Sequence, residues 1–208
     1  MKTVILTKAD KNNDLKCLLT WWRKSLLEHL LTNLLCFKVP QDIFVVGIED
    51  EDLGNILEKY HIYKKNYIIL KEQGTEIDSL LKVKPILGDE KFISVIDSNS
   101  FFPKKDIRRM VEQEDLNYPM IFTYDYKFPY SIIKSDGRDA TVKTILDFPE
   151  MVVNTGAYIL PKDIWGVLRK LDFITEALLQ LKINAGMKIY TFNVHEWRYF
   201  HKAGDFVE

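Results

Sequence analysis

Short apolar runs alternate with amphipathic stretches through the first half of this 208-residue chain, and that alternation restricts the fold more than any other feature. Thr3–Thr7 (TVILT), Ile43–Ile48 (IFVVGI), Asn66–Leu70 (NYIIL) and Phe92–Ile96 (FISVI) are each too short for a helix and largely apolar on both sides of the pleat. Such runs read as strands buried on both faces. Between them, Lys24–Phe37 carries Leu26, Leu27, Leu30, Leu31, Leu34 and Leu35 on one wide helical face. Glu49–Asp52 places acidic residues where a helix running to about Tyr60 has its positive end. Thr75–Lys84 and Pro103–Glu114 complete the set. Strands that alternate with helices need crossover connections, so the pattern predicts a parallel sheet with helices on both faces.

The second half changes character. Met120–Tyr126 reads as a strand, and Tyr130–Lys134 and Thr141–Leu146 flank Ser135-Asp136-Gly137-Arg138, a hairpin turn signal. Val152–Leu160 is a further strand. Pro161 is expected to start a helix to about Lys170, followed by a helix over Phe173–Ala185 and a last strand over Lys188–Val194. The expected class is α/β, with a central mixed, mostly parallel sheet and an inserted β-hairpin. No repeat, low-complexity tract or linker divides residues 1–208, so they form one domain. Its Rossmann-like half covers residues 1–117 and its second half residues 118–208.

Lysines and arginines number 29 and acidic residues 30, a net charge of −1 that offers nothing to nucleic acid or a membrane surface. No apolar run spans a bilayer, and Val4–Leu6 is too short for a signal peptide. Cys17 and Cys36 lie in apolar contexts and fit neither a disulfide framework nor a metal site, which suggests a reducing, cytoplasmic setting. Asp10, Asn12 and Asp14 open like a calcium loop, but Leu15 stands where glycine is required and Trp21 where the closing glutamate belongs. His195-Glu196 has no second histidine at helical spacing, and no nucleophile elbow is present. His29 reads as structural and His61 as needing no role.

One residue stands out. Asp97 follows the Phe92–Ile96 run at once, and a carboxylate just past a central strand lies where open α/β sheets bind ligands. It is a candidate to hold a divalent metal and, through it, a phosphate. The competing reading makes Asp97 a turn residue or the cap of the helix near Pro103. Trp21-Trp22 reads either as core or as an exposed pair that anchors a partner.

Several segments resemble the sugar-1-phosphate nucleotidyltransferase family, whose fold is the GT-A, nucleotide-diphospho-sugar transferase-like three-layer sandwich. Leu15–Leu30 resembles "PKxLLPVxGKPLLEHxL", Glu72–Leu81 resembles "xxGTAxAL", and Ile93–Asn99 resembles "FLVLxGDN". Phe128–Pro149 resembles "xPYGVVxxDxxGRVxxIxEKP", Val153–Ile159 resembles "VNTGIYV", and Thr191–Phe206 resembles the terminal "WYDIGTPEDY" region. The resemblance covers most of the chain, in order. It implies transfer of a nucleotidyl group from a nucleoside triphosphate to a sugar phosphate or similar phosphorylated small molecule. It further implies Lys16 and Asp97 as catalytic residues, Thr7, Lys8, Gly74 and Thr75 on the nucleotide, and Asn154 and Gly156 on the sugar side. Asp97 would bind Mg²⁺ or Mn²⁺, and a homodimer is one expected assembly.

The departures fall on the chemistry. The family's "LAAGxGTRLxPLT" loop corresponds to Leu6–Lys16 (LTKADKNNDLK), which is shorter and contains neither glycine nor arginine. Glycine there would let successive N–H groups point at phosphates. Phe148 replaces the lysine of "EKP", and Tyr199 stands where "WYDIG" has its second metal-binding aspartate. These losses remove much of the charge stabilisation that speeds phosphoryl-type transfer, so activity is expected to be weakened or lost. Two alternatives follow: a non-catalytic nucleotide- or sugar-nucleotide-binding or scaffold subunit, and a metal-dependent GT-A glycosyltransferase in which His201 joins Asp97 on the metal.

Overall fold

A computed structural model describes residues 1–9, 15–72, 74–112, 118–126, 131–135, 140–144, 151–168, 171 and 173–199. In chain order these form β1 (Lys2–Leu6), the small hairpin β2 (Thr20–Trp21) and β3 (Lys24–Ser25), α1 (Leu26–Leu34), β4 (Ile43–Ile48), α2 (Glu51–Lys59), β5 (Tyr67–Leu70) and α3 (Glu76–Leu87). Next come β6 (Phe92–Asp97), β7 (Ser100–Phe101), α4 (Lys104–Val111) and β8 (Met120–Tyr126). The hairpin β9 (Ser131–Ser135) and β10 (Ala140–Thr144) follows, then β11 (Met151–Pro161), α5 (Ile164–Val167), α6 (Ile174–Ala185), β12 (Tyr190–Asn193) and β13 (Arg198–Tyr199).

Seven strands make one sheet in the order β12-β8-β11-β6-β1-β4-β5. β1 pairs parallel with β4 and β6, β4 with β5, and β12 with β8. Only β11 runs against its neighbours, β6 and β8. Side chains alternate between the two faces. Ile5, Val45, Ile96 and Ile159 pack with Leu27, Leu31, Leu53 and Ile107 of α1, α2 and α4. Val4, Val46, Val95 and Leu160 pack with Leu80, Val83, Ile164 and Leu178 of α3, α5 and α6. The result is the expected three-layer α/β sandwich with an inserted antiparallel hairpin. Among the described residues no helix is long and apolar enough to cross a membrane.

Two expected helices shift for local reasons. Pro161 does not start one: it closes β11 opposite Phe92, and only the short α5 follows. The ladder opposite β6 outweighs a proline's preference for a first helical turn. α1 starts at Leu26 because Ser25 and Glu28 form a capping box, which leaves Lys24 in a strand. The acidic start at 49–52 behaves as read, with Asp50 accepting from Leu53 N at 2.8 Å.

The β2–β3 turn falls where Thr20-Trp21-Trp22-Arg23 stands in place of "PVxG" in the resembled segment, a tight turn there, with two bulky aromatics here. Trp22 (φ 49°) and Arg23 (φ 65°) both take left-handed backbone, the pattern of a type I′ turn that favours Asn-Gly. Trp22 is 78% exposed, whereas Trp21 is half-buried with its ring 4.6 Å from Phe101. Left-handed backbone costs a side-chain-bearing residue about 1–2 kcal/mol, so the double substitution Trp22→Asn, Arg23→Gly should stabilise the chain by about 1–2 kcal/mol. Urea unfolding checks this; an unchanged or lower midpoint would mean that the Trp22 ring contributes more than its backbone costs.

The two cysteines differ more than their sequence contexts suggest. Cys17 is fully buried, and burial pushes its thiol up to about 12. Cys36 is exposed, and neither forms a disulfide. At pH 8 a disulfide-exchange reagent should therefore titrate one thiol in the folded chain, Cys36, with Cys17 reacting only in denaturant. A second fast thiol would show that the α1 layer opens readily.

Candidate functional site

The site lies at the C-terminal ends of β1 and β6, on the α3 side of the sheet. Leu6 is in register with Asp97, and Ser98 N donates to Leu6 O at 3.0 Å, so the two strand ends are locked together. Alternation sends Lys8 and Asp97 to the face where α3 begins. There Lys8 Nζ lies 2.7 Å from Asp97 Oδ2 and 2.6 Å from Glu76 Oε1. Burial alone would lower the Lys8 pKa, but the charges of Asp97 and Glu76 outweigh it and raise it above the usual lysine value. Asp97 Oδ1 accepts from Asn99 N at 2.9 Å. Asp97 thus makes a local turn, as one reading held, while its other oxygen faces Lys8. It does not cap α4, whose first turn starts at Pro103 without a side-chain cap.

The far wall comes from β11. Its register shifts between Asn154 and Tyr158, a bulge in an interior strand. Gly156 takes φ +77° there, and a Cβ on it would lie 2.9 Å from Asp97 Cβ. Asn154 Oδ1 accepts from Gly156 N at 3.0 Å, and Asn154 Nδ2 donates to the Tyr158 hydroxyl. Burial, followed by the charge of Glu76, pushes the Tyr158 phenol up to about 12. The Tyr199 phenol is also raised, first by burial and then by the charge of Asp97, and it hydrogen-bonds the Asn99 side chain. Asn99 Oδ1 is buried and has no hydrogen-bond donor among the described residues.

The last described residues close over this end of the sheet. Arg198 and Tyr199 pair with Phe101 and Ser100, and Trp197 Nε1 donates to Ser100 Oγ at 3.1 Å. Fully buried Asp106 accepts from His195 N at 3.0 Å and pairs with His195 Nδ1 at 2.9 Å.

The candidates taken from sequence fall into three groups. Lys8, Asp97, Asn154 and Gly156 come together. Thr7 is buried and donates its hydroxyl to Val46 O at 2.9 Å over Gly47, so its side chain is occupied within the sheet. Gly74 and Thr75 are exposed and build the start of α3, where Thr75 and Asp78 form a capping box. Lys16 opens a 3₁₀ turn, is half-buried and is not part of the Lys8–Asp97–Glu76 triad. His201 and Phe148 lie outside the described residues. The sequence reading missed Glu76, Tyr158 and the proximity of Tyr199 to Asp97. Glu76 had a signal: it stands where the resembled "GTA" segment has alanine, just as Lys8 stands at an alanine of "LAAG".

The donor set was expected to hold Mg²⁺ or Mn²⁺ through Asp97, and it does not fit that ion as arranged. Both Asp97 oxygens and Glu76 Oε1 are engaged, and Lys8 Nζ stands between the two carboxylates. An octahedral ion about 2.1 Å from those oxygens would overlap the ammonium group. Among the described residues no three His, Cys, Asp or Glu side chains group as metal ligands.

No protein-family profile and no curated protein matches the chain by sequence. Solved structures match over nearly its whole length. The inositol-1-phosphate CTP transferase of T. maritima superposes with a TM-score of 0.68 at 14% identity, over 98% of this chain and 90% of that one. The 4-diphosphocytidyl-2C-methyl-D-erythritol synthase of Anaerococcus prevotii DSM 20548 superposes with a TM-score of 0.64 at 17% identity, over 93% and 86%. At such identities the likeness establishes the fold, the nucleotide-diphospho-sugar transferase type.

Proposed function

We propose that this chain binds a nucleoside phosphate at the ends of β1 and β6 and a phosphorylated small molecule on the β11 side, as a nucleotidyltransferase-type site. The observation that carries this reading is the Lys8–Asp97 pair, 2.7 Å apart at the ligand-binding edge of this fold. In the reaction, a phosphate oxygen of the acceptor attacks the α-phosphorus of the triphosphate. The bond from that phosphorus to the β-bridging oxygen breaks, and its electron pair leaves on pyrophosphate. The acceptor phosphate is already ionised near neutral pH, so no general base is required. Lys8 Nζ spends two of its three N–H groups on Glu76 and Asp97 and offers the third to a phosphate oxygen.

A second reading, ligand binding without turnover, is favoured by a specific observation. Leu6–Lys16 has neither glycine nor arginine, and one lysine against two carboxylates leaves the triad at −1. A negative site suits a nucleotide sugar better than a more highly charged triphosphate.

Thermal-shift titration with a panel of triphosphates and nucleotide sugars, followed by pyrophosphate release in the presence of sugar and polyol phosphates, separates the two. Binding that is lost in Asp97→Ala and accompanied by pyrophosphate release supports transfer. Binding without release supports the second reading. If no nucleotide binds, both readings fall.

A further inference from the structure

We infer that the ammonium group of Lys8 takes the place of the divalent metal ion at this site, so that ligand binding here is independent of added metal. The inference rests on the nucleotide-site reading for its ligand, but not for its geometry. Lys8 Nζ touches both Asp97 and Glu76, the position a bridging cation would hold. Its backbone is delivered by a fixed strand end. Thr7 N donates to Val46 O at 2.9 Å on one side, and the Leu6–Asp97 register fixes the other.

Asp97 has little freedom to rearrange for a metal. Asn99 N holds one oxygen, and Gly156 leaves no room for so much as a Cβ on the β11 side. The phenols that complete the surroundings, Tyr158 and Tyr199, stay protonated through neutral pH and are poor ligands for Mg²⁺. Lys8 and Glu76 also stand together where the resembled motifs carry two alanines, so the cation is present with the extra carboxylate that anchors it. The arrangement changes what the site can bind. A divalent ion between two carboxylates would be neutral, whereas the lysine leaves −1, which selects ligands with little negative charge beside Asp97.

The test is Mn²⁺ binding followed by electron paramagnetic resonance, with no nucleotide present, on the wild-type chain, Lys8→Met, Lys8→Ala, Asp97→Asn and Lys8→Met/Asp97→Asn. Circular dichroism checks folding. The wild-type chain should leave Mn²⁺ free at equimolar, sub-millimolar concentration. Lys8→Met or Lys8→Ala, whichever folds, should bind one equivalent at least about tenfold more tightly, because cation–cation repulsion is gone. Asp97→Asn should remove that gain. Wild-type Mn²⁺ binding that Asp97→Asn abolishes would overturn the inference, and so would a folded Lys8 variant that binds no better than wild type. A parallel thermal shift with nucleotide, in chelator and in Mn²⁺, should show equal stabilisation of the wild-type chain. Stabilisation only in Mn²⁺ would overturn the inference as well. No shift in either buffer would count against the nucleotide reading alone, with the Mn²⁺ titration still deciding the role of Lys8.

Discussion

Gly156→Val should destabilise the chain by about 3 kcal/mol and remove ligand binding at Asp97, the combined result of left-handed backbone at about 1–2 kcal/mol and a steric clash. At φ +77° a side chain is strained before any neighbour is considered. A Cβ would then meet Asp97 Cβ at 2.9 Å, and neither side yields easily. Asp97 ends a central strand, and the next residue of β11, Ala157, is in register with Ile96. Gly156→Ala already meets both through its Cβ, without the further methyls of valine: it should cost about 2 kcal/mol and displace Asp97 less than valine does. Urea unfolding gives the stability, and nucleotide thermal shift reports the site. An alanine variant within about 0.5 kcal/mol of wild type would show that the bulge relaxes freely.

Asp97→Ala should cost about 3 kcal/mol, because it leaves Lys8 with one carboxylate and Asn99 N–H without its acceptor. Asp97→Asn should cost less, since an amide oxygen can still accept from Asn99 N while the charge is lost. If the ion pair is the cause, Lys8→Met and Asp97→Asn together should cost less than the sum of the two single changes. The pH dependence carries its own sign. Lys8 is raised in the folded state, so its contribution is fully present below the unfolded lysine value and is lost as pH rises through the folded one. The wild-type advantage over Asp97→Ala should therefore be level from about pH 7 to 9 and shrink only above about 10.4. A collapse of that advantage between pH 7 and 9 would remove Lys8 as its source.

The central strands of the main sheet were legible because burial on both faces leaves little choice of residue. Ile43–Ile48 and Met120–Tyr126 have the bounds read from sequence, and Phe92–Ile96 extends by one residue to Asp97. The place of Asp97 was legible for the same reason. The partners of Asp97 were not. Glu76 and Lys8 are 68 residues apart and look like ordinary surface charges until the sheet brings them together. The Trp22–Arg23 turn was marked only by the resembled "PVxG", because its conformation is favoured by glycine and asparagine and neither is present. The short α5 was misjudged because Pro161 serves the ladder opposite Phe92, a long-range pairing that no local rule weighs. The Thr75–Asp78 capping box starts α3 and so places Glu76 at Lys8.

The contacts of His195, Trp197 and Tyr199 with β7 and α4 set a timetable. Trp197 meets Ser100 across 97 residues, and His195 meets Asp106 across 89. During synthesis, Lys8, Glu76 and Asp97 therefore leave the ribosome long before the residues that wall them in. At about 5–20 residues per second that interval lasts roughly 5–20 seconds, during which the strand ends carrying the triad stay uncovered. Newly made chains would thus hold the β6-β1-β4-β5 part of the sheet before a closed ligand pocket, and a small molecule present early would meet an open cleft.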